Sequence, residues 1–315
     1  MVRFSGHFWT LYPYLRGQVG LRAAPPATRW EGEVVDEVKG RVPLSGRWRE
    51  SAERERAIVL VHGLGGGPES FYVREAELEF ARRGWSVLNL ALRGADLAGI
   101  DFYHGASSVD VHAALASPTL AHHHHLHVVG FSIGGHIALH VARETAHPRV
   151  RSVVAVCAPL HLPTARAAID SPRALLYRRH VLRGCKAVYA AVARRSDVPT
   201  PQDRVARART VQELDELTVV PRYGFADAQH YYESMSVAPH LPHLHVPALL
   251  VNAPDDPMVA SAAVLPWLPP RHGLLRVSTA RRGGHVGFPG DLDLGVGGSP
   301  GLYAQLDAWL RRQEP

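Results

Sequence analysis

The stretch "LHVVGFSIGGHIALH", residues 126–140, decides the fold. A short apolar run, Leu126 to Val129, stops at Gly130. Ser132 then stands among Gly130, Gly134 and Gly135, and a helical pattern begins at once. Gly130-Phe131-Ser132-Ile133-Gly134 fits G-x-S-x-G in the setting that gives the pentapeptide meaning, a strand before it and a helix after it. A hydroxyl held at so sharp a turn sits in strained backbone geometry, and side chains on either side would collide, so glycines replace them. The start of the following helix aims free N–H groups and positive dipole at the same place, which favours developing negative charge. Ser132 is therefore the candidate nucleophile.

Outward from this corner the chain alternates strands and helices. Residues 57–63, "AIVLVHG", read as a buried parallel strand. Residues 69–84 carry apolar residues at helical spacing and end in glycine. A strand follows at 85–92, a helix at 107–117, the strand 126–131, a helix at 133–146 and a strand at 150–159. The rhythm returns with strands at 248–254 and 273–280 and a helix at 301–312. Trp30 to Glu50 alternates loosely, as a hairpin does. This order implies a mostly parallel sheet with helices on both faces. Residues 160–240 break the pattern, with helical pieces, many arginines, several prolines and no strong strand. They read as a helical cap inserted into one domain spanning 1–315. Residues 1–29, aromatic and then Pro/Ala-rich, read as an arm packed on the body.

A serine hydroxyl is a weak nucleophile and needs a base oriented by a third group. On this architecture the chain order is Ser, acid, His. After the strand 248–254 come Asp255 and Asp256; after the strand 273–280, "RRGGHVGF" presents His285. Asp256 precedes Pro257, which biases it to an extended pose, and leaves Asp255 to accept backbone N–H groups in the turn. "HGLGGG", 62–67, follows the strand where an oxyanion donor is expected, so the backbone N–H groups of Leu64 and Ile133 are the candidate donors. The same loop nearly fits G-x-G-x-x-G, but Pro68 replaces the last glycine and no acid ends the next strand, which argues against a dinucleotide site. His62 and His136 read as structural or pocket-lining. His122–His125 read as a solvated loop, because consecutive residues do not converge on one ion.

Bulk properties bound the function. The 315 residues are 46% hydrophobic and 20% charged, enough for a sizeable core. The net charge of +6 comes from scattered arginines; Lys39 and Lys186 are the lysines, and no basic run reaches four, so nucleic acid is not the expected partner. Cys157 and Cys185 form no disulfide framework or metal motif, which suits a cytoplasmic protein without metal or cofactor. No apolar run approaches the ~20 residues of a membrane helix. The arm "GHFWTLYPYL" contains a proline and no clean amphipathic helix. That favours packing on the body and leaves peripheral contact with a lipid surface as the lesser reading.

Taken together, these segments resemble the α/β-hydrolases, and more closely their YheT-like branch, related to ABHD-type ester and lipid hydrolases. "GHFWTLYP" is similar to that branch's arm, "HGLGGGPES" to its oxyanion loop, "YHGASSVDV" to the segment after its second strand–helix unit, and "YGFADAQHYYESMSVAPHL" to its cap exit. "NAPDDPMV" and "GGHVGF" resemble its acid and histidine motifs. The resemblance implies a Ser132–Asp256–His285 triad and hydrolysis of short-chain or lipid-like carboxylic esters without cofactor or metal. Acyl transfer and thioester cleavage would use the same groups, and a non-catalytic binding protein is the rival outside enzymology. The chain departs from the branch just after Arg93-Gly94 and at His136, where asparagine is common. Both departures concern the acyl pocket.

Overall fold

The computed structural model describes residues 6–12, 27–145, 147–271 and 273–315. Most of the arm 1–29, and Ala146 at the end of the expected helix 133–146, lie outside the described residues. Eight strands form one sheet: β1 (Thr28–Asp36), β2 (Gly40–Arg49), β3 (Arg56–Val61), β4 (Ser86–Ala91), β5 (His125–Phe131), β6 (Val150–Val156), β7 (Ala248–Asn252) and β8 (Leu275–Thr279). Their order is β1-β2-β4-β3-β5-β6-β7-β8. The β1–β2 hairpin and its pairing with β4 are antiparallel, and every pairing from β4 to β8 is parallel.

Burial follows the pairing. The interior strands β3, β5, β6 and β7 are apolar and almost wholly buried, because helices cover both their faces. At the antiparallel edge, β2 buries Val42 and Leu44 while Pro43 between them faces outward. On one face α2 (Phe71–Arg82) and α11 (Leu302–Arg311) bring Val73, Phe80, Leu306 and Trp309 against Ile58, Leu60 and Val129. On the other, α3 (Ser108–Leu115) and α4 (Ile133–Glu144) bring Val111, Leu115, Ile137 and Val141 against Val59, Val128 and Val153. β3 pairs with β4 on one side and β5 on the other. The chain thus leaves β3 in one direction and returns on its other side, opening a crevice at the carboxyl ends of β3 and β5, where such sheets bind ligands.

Between β6 and β7 the chain is helical: α5 (Leu162–Ile169), α6 (Leu175–Ala193), α7 (Gln202–Ala206), α8 (Val211–Leu217), α9 (Val219–Tyr223) and α10 (Ala228–Met235). A third apolar cluster, including Leu162, Val181, Val188, Leu214 and Tyr231, joins these helices to Phe102 and Ile133 of the body. The amino-terminal α1 (6–12) lays Gly6 and Thr10 on the body and leaves Phe8, Leu11 and Tyr12 exposed. His123 is buried edge-on to Trp48 rather than solvated, and His125 opens β5. His122 and His124 are exposed, as a solvated loop requires, and that loop runs directly into the strand.

A buried ion network ties the helical segment to the sheet. The Arg93 guanidinium donates to Asp110 Oδ1 at 2.9 and 2.7 Å, and to Asp36 and Asp101 at 3.0 and 3.1 Å. Arg222 on α9 donates to both oxygens of Asp101, at 2.9 and 2.7 Å, and reaches Asp36 at 2.8 Å. Removing Arg93 leaves the buried Asp110 without a counter-charge, while Asp36 and Asp101 keep Arg222; breaking a buried pair in this way typically costs about 3–5 kcal/mol. Arg93→Met should lose stability on that scale in chemical denaturation. A loss below ~1 kcal/mol, the scale of an exposed pair, would show that the network does not hold the segment down.

Candidate active site

The structure sets Ser132 at the turn between β5 and α4 with φ 55° and ψ −123°. That is a conformation side-chain-bearing residues rarely adopt, and it costs on the order of 1–3 kcal/mol. The surroundings hold it there. Ser132 N donates to Val156 O at 2.8 Å, and Gly135 N donates to Ser132 O at 2.9 Å. A Cβ at Gly130 would fall 2.0 Å from Gly134 O, and one at Gly134 would fall 2.4 Å from both Val61 O and His62 O. The glycines of the pentapeptide are thus the condition for α4 to start this close to β3 and β5.

Four loops at the carboxyl ends of parallel strands supply the other groups. His285, beyond β8, sets Nδ1 2.8 Å from Asp256 Oδ2, beyond β7, and both side chains are buried. Asp256 Oδ1 accepts the N–H groups of Met258 and Val259 at 2.8 and 2.9 Å. Those bonds were expected at Asp255; the structure gives them to Asp256, whose carboxylate is thereby oriented through both oxygens. Leu64 follows β3 and Ile133 opens α4. Among the described residues neither backbone N–H is given to an acceptor, as the first turn of a helix leaves its N–H groups free. One cleft is lined by Ser132, His285, Gly63 and Leu64. A second, lined by Ser132, Leu64, Ile133 and side chains of α5, α6, α8 and α10, lies under the helical segment. Ser132 stands where the two meet.

Other groups near the site are passive. His62 is buried, which lowers its pKa to about 4; its Nδ1 donates to Gly63 O at 2.9 Å and its Nε2 accepts from Leu92 N at 3.3 Å. His136, also buried, lies 2.8 Å from Pro159 O through Nδ1 and 2.9 Å from Met235 O through Nε2. Both positions hold loops around the site. Cys157 Sγ, Asp256 and His285 offer ligand atoms within 4.8 Å of one another. Burial pushes the Cys157 thiol well above its ordinary range, and its Sγ donates to Gly284 O at 3.6 Å. Both Asp256 oxygens already accept hydrogen bonds.

Sequence reasoning missed the contribution of α1. Thr10 Oγ1 accepts from His285 N at 2.7 Å and donates to Gly6 O at 2.8 Å, and Thr10 and Leu11 line the cleft. The arm therefore helps to hold the histidine loop. No spacing signal connects a residue 275 positions away in sequence to His285.

Residues 58–292 match the Alpha/beta hydrolase family. The chain belongs to that family. Among curated relatives it is 28% identical to YheT of Escherichia coli, an esterase by assignment, over 85% of this chain and 78% of that one. It is 22% identical to the monoacylglycerol lipase of Saccharomyces cerevisiae, covering 76% of this chain and 56% of that one. Among solved structures, an esterase of Pyrococcus furiosus superposes with a TM-score of 0.53 at 16% identity, covering 82% of this chain and 85% of the other; at that identity the likeness is one of fold. Among the described residues no helix is long and apolar enough to cross a membrane.

The turn gives a test independent of chemistry. Gly130→Ala must displace the backbone of α4, and overpacking of this kind costs about 1–3 kcal/mol. Its thermal melting should fall accordingly. An unchanged melting temperature would mean that α4 can retreat freely from the sheet.

Proposed function

We propose that this member of the family is a serine carboxylic ester hydrolase working through an acyl-enzyme. The observation that carries the reading is the 2.8 Å bond between His285 Nδ1 and Asp256 Oδ2, on a histidine that shares a cleft with Ser132. With Nδ1–H given to Asp256, Nε2 is the nitrogen left to act as a base. His285 takes the proton of Ser132 as Oγ attacks the ester carbonyl. Asp256 fixes the tautomer and stabilises the cation that forms. The Leu64 and Ile133 N–H groups receive the oxyanion. The leaving alcohol then takes the proton from His285 and departs, and water attacks the acyl-enzyme by the same route.

The two clefts divide the substrate. The alcohol must accept its proton from His285, so it leaves through the cleft that His285 lines. The acyl group then occupies the cleft under α5, α6, α8 and α10, whose walls are mostly apolar. This arrangement supports esters with an apolar acyl part, in line with the names of the relatives. The helical segment 160–240 acts as the cap of that acyl cleft, and small-molecule or lipid esters are the partners.

The test is a series of p-nitrophenyl esters, with labelling by a fluorophosphonate. Ser132→Ala should lose roughly 10³-fold or more in kcat while remaining folded, and should not label. Normal turnover by purified Ser132→Ala would end this reading. Asp256→Asn should lower kcat by up to ~10⁴-fold through the wrong histidine tautomer. Asp255→Asn, at a side chain outside the hydrogen bonds of the site, should leave kcat within a few-fold. The reverse ranking would exchange the roles of the two aspartates.

A further inference from the structure

The acyl cleft is not uniformly apolar. Asp215 on α8 lines it and is half-buried, so part of the residue faces the cavity. Asp215 Oδ2 accepts from the Tyr232 hydroxyl at 2.6 Å. Among the described residues no cation lies within ion-pair distance of it. Arg166 lines the same cleft, with its Nε buried and unpartnered, and makes no ion pair with Asp215. Burial raises the Asp215 pKa to about 7, with Asp170 and Glu216 adding to the rise. An unpaired buried acid lowers stability and is useful chiefly where something is bound.

A donor faces the same cavity. The Tyr231 hydroxyl accepts from Gly105 N at 2.7 Å. Among the described residues its own proton has no acceptor. Tyr231 stacks obliquely on Tyr232 at 5.0 Å between ring centroids, so donor and acid share the wall formed by α8 and α10. A hydroxyl can donate one hydrogen bond and accept another. It therefore complements this pair, giving its proton to Asp215 Oδ1 and accepting that of Tyr231.

We infer that the acyl cleft selects esters whose acyl group carries a hydroxyl along its chain, held between Asp215 and Tyr231, over plain alkyl esters of the same length. This rests on the esterase reading above and on its division of the two clefts. A plain alkyl chain would fill the apolar walls but leave both polar groups unpaired after displacing water, and a site built to bond a hydroxyl discriminates strongly against the analogue that lacks it.

The experiment compares p-nitrophenyl hexanoate and decanoate with their hydroxyacyl counterparts, the hydroxyl being moved along the chain. The readout is the ratio of kcat/KM, hydroxyacyl to alkyl, within each protein. In the wild type, the ratio for at least one hydroxyl position should be about tenfold or more. It should fall to near one in Asp215→Leu. Tyr231→Phe removes the donor, together with the acceptor of Gly105 N, and should lower the ratio without placing an apolar group at position 215, which keeps the test available if Asp215→Leu folds poorly. A wild-type ratio near one at every position, or one unchanged in both variants, overturns the inference. p-Nitrophenyl acetate separates the two readings. Ser132-dependent acetate hydrolysis without hydroxyl preference refutes this inference alone. If acetate is not hydrolysed, calorimetric binding of the corresponding methyl esters to Ser132→Ala makes the same comparison without turnover, and equal affinities again overturn it.

Discussion

The site depends on how closely α4 approaches the sheet. Gly130 and Gly134 meet backbone atoms at distances that no Cβ tolerates, and Ser132 between them is held at a positive φ by bonds to β6 and to the first turn of its own helix. That contact points Ser132 out of the carboxyl edge of the sheet and leaves the Ile133 N–H free beside it. It also brings the loop after β3, with Leu64, into reach. Loosening this contact would separate the hydroxyl and both candidate oxyanion donors together, because they ride on one rigid junction.

The histidine side of the site is assembled differently. It rests on bonds between loops, with Asp256 oriented through both oxygens and the His285 backbone anchored by Thr10 of the arm. Loops of this kind move more easily than strands and helices, so the arm's bond has a purpose: it limits where the imidazole can go. The helical segment above is fixed at a distance from the chemistry, by Arg93 and Arg222 sharing Asp36 and Asp101. The walls of the cleft under that segment are thus set by an ion network that touches neither Ser132 nor His285.

The departures from the family pattern acquire physical content here. The segment after Arg93-Gly94 carries Asp101, the acid shared by both arginines, and it leads into Phe102, Tyr103 and His104 on the wall of the cleft under the helical segment. His136 does not line either cleft and instead joins α4 to the exit of the helical segment at Met235. One departure therefore lies at the wall of that cleft and the other acts through packing.

The sequence by itself determined the alternation of strands and helices, the turn at Ser132 and the order serine, acid, histidine. These are local matters: apolar periodicity, glycine at a steric limit, and groups placed just beyond strand ends. It also favoured Asp256 over Asp255 as the partner of His285, since proline after Asp256 acts on its immediate neighbour. Only the tertiary structure decided that Asp256 rather than Asp255 takes the backbone bonds, that Thr10 anchors His285, that Arg93 and Arg222 clamp the helical segment, and that Asp215 lines the cleft beneath that segment. Each of those is a meeting of residues far apart in the chain, chosen by packing and desolvation across the whole fold, and no spacing along the sequence encodes it.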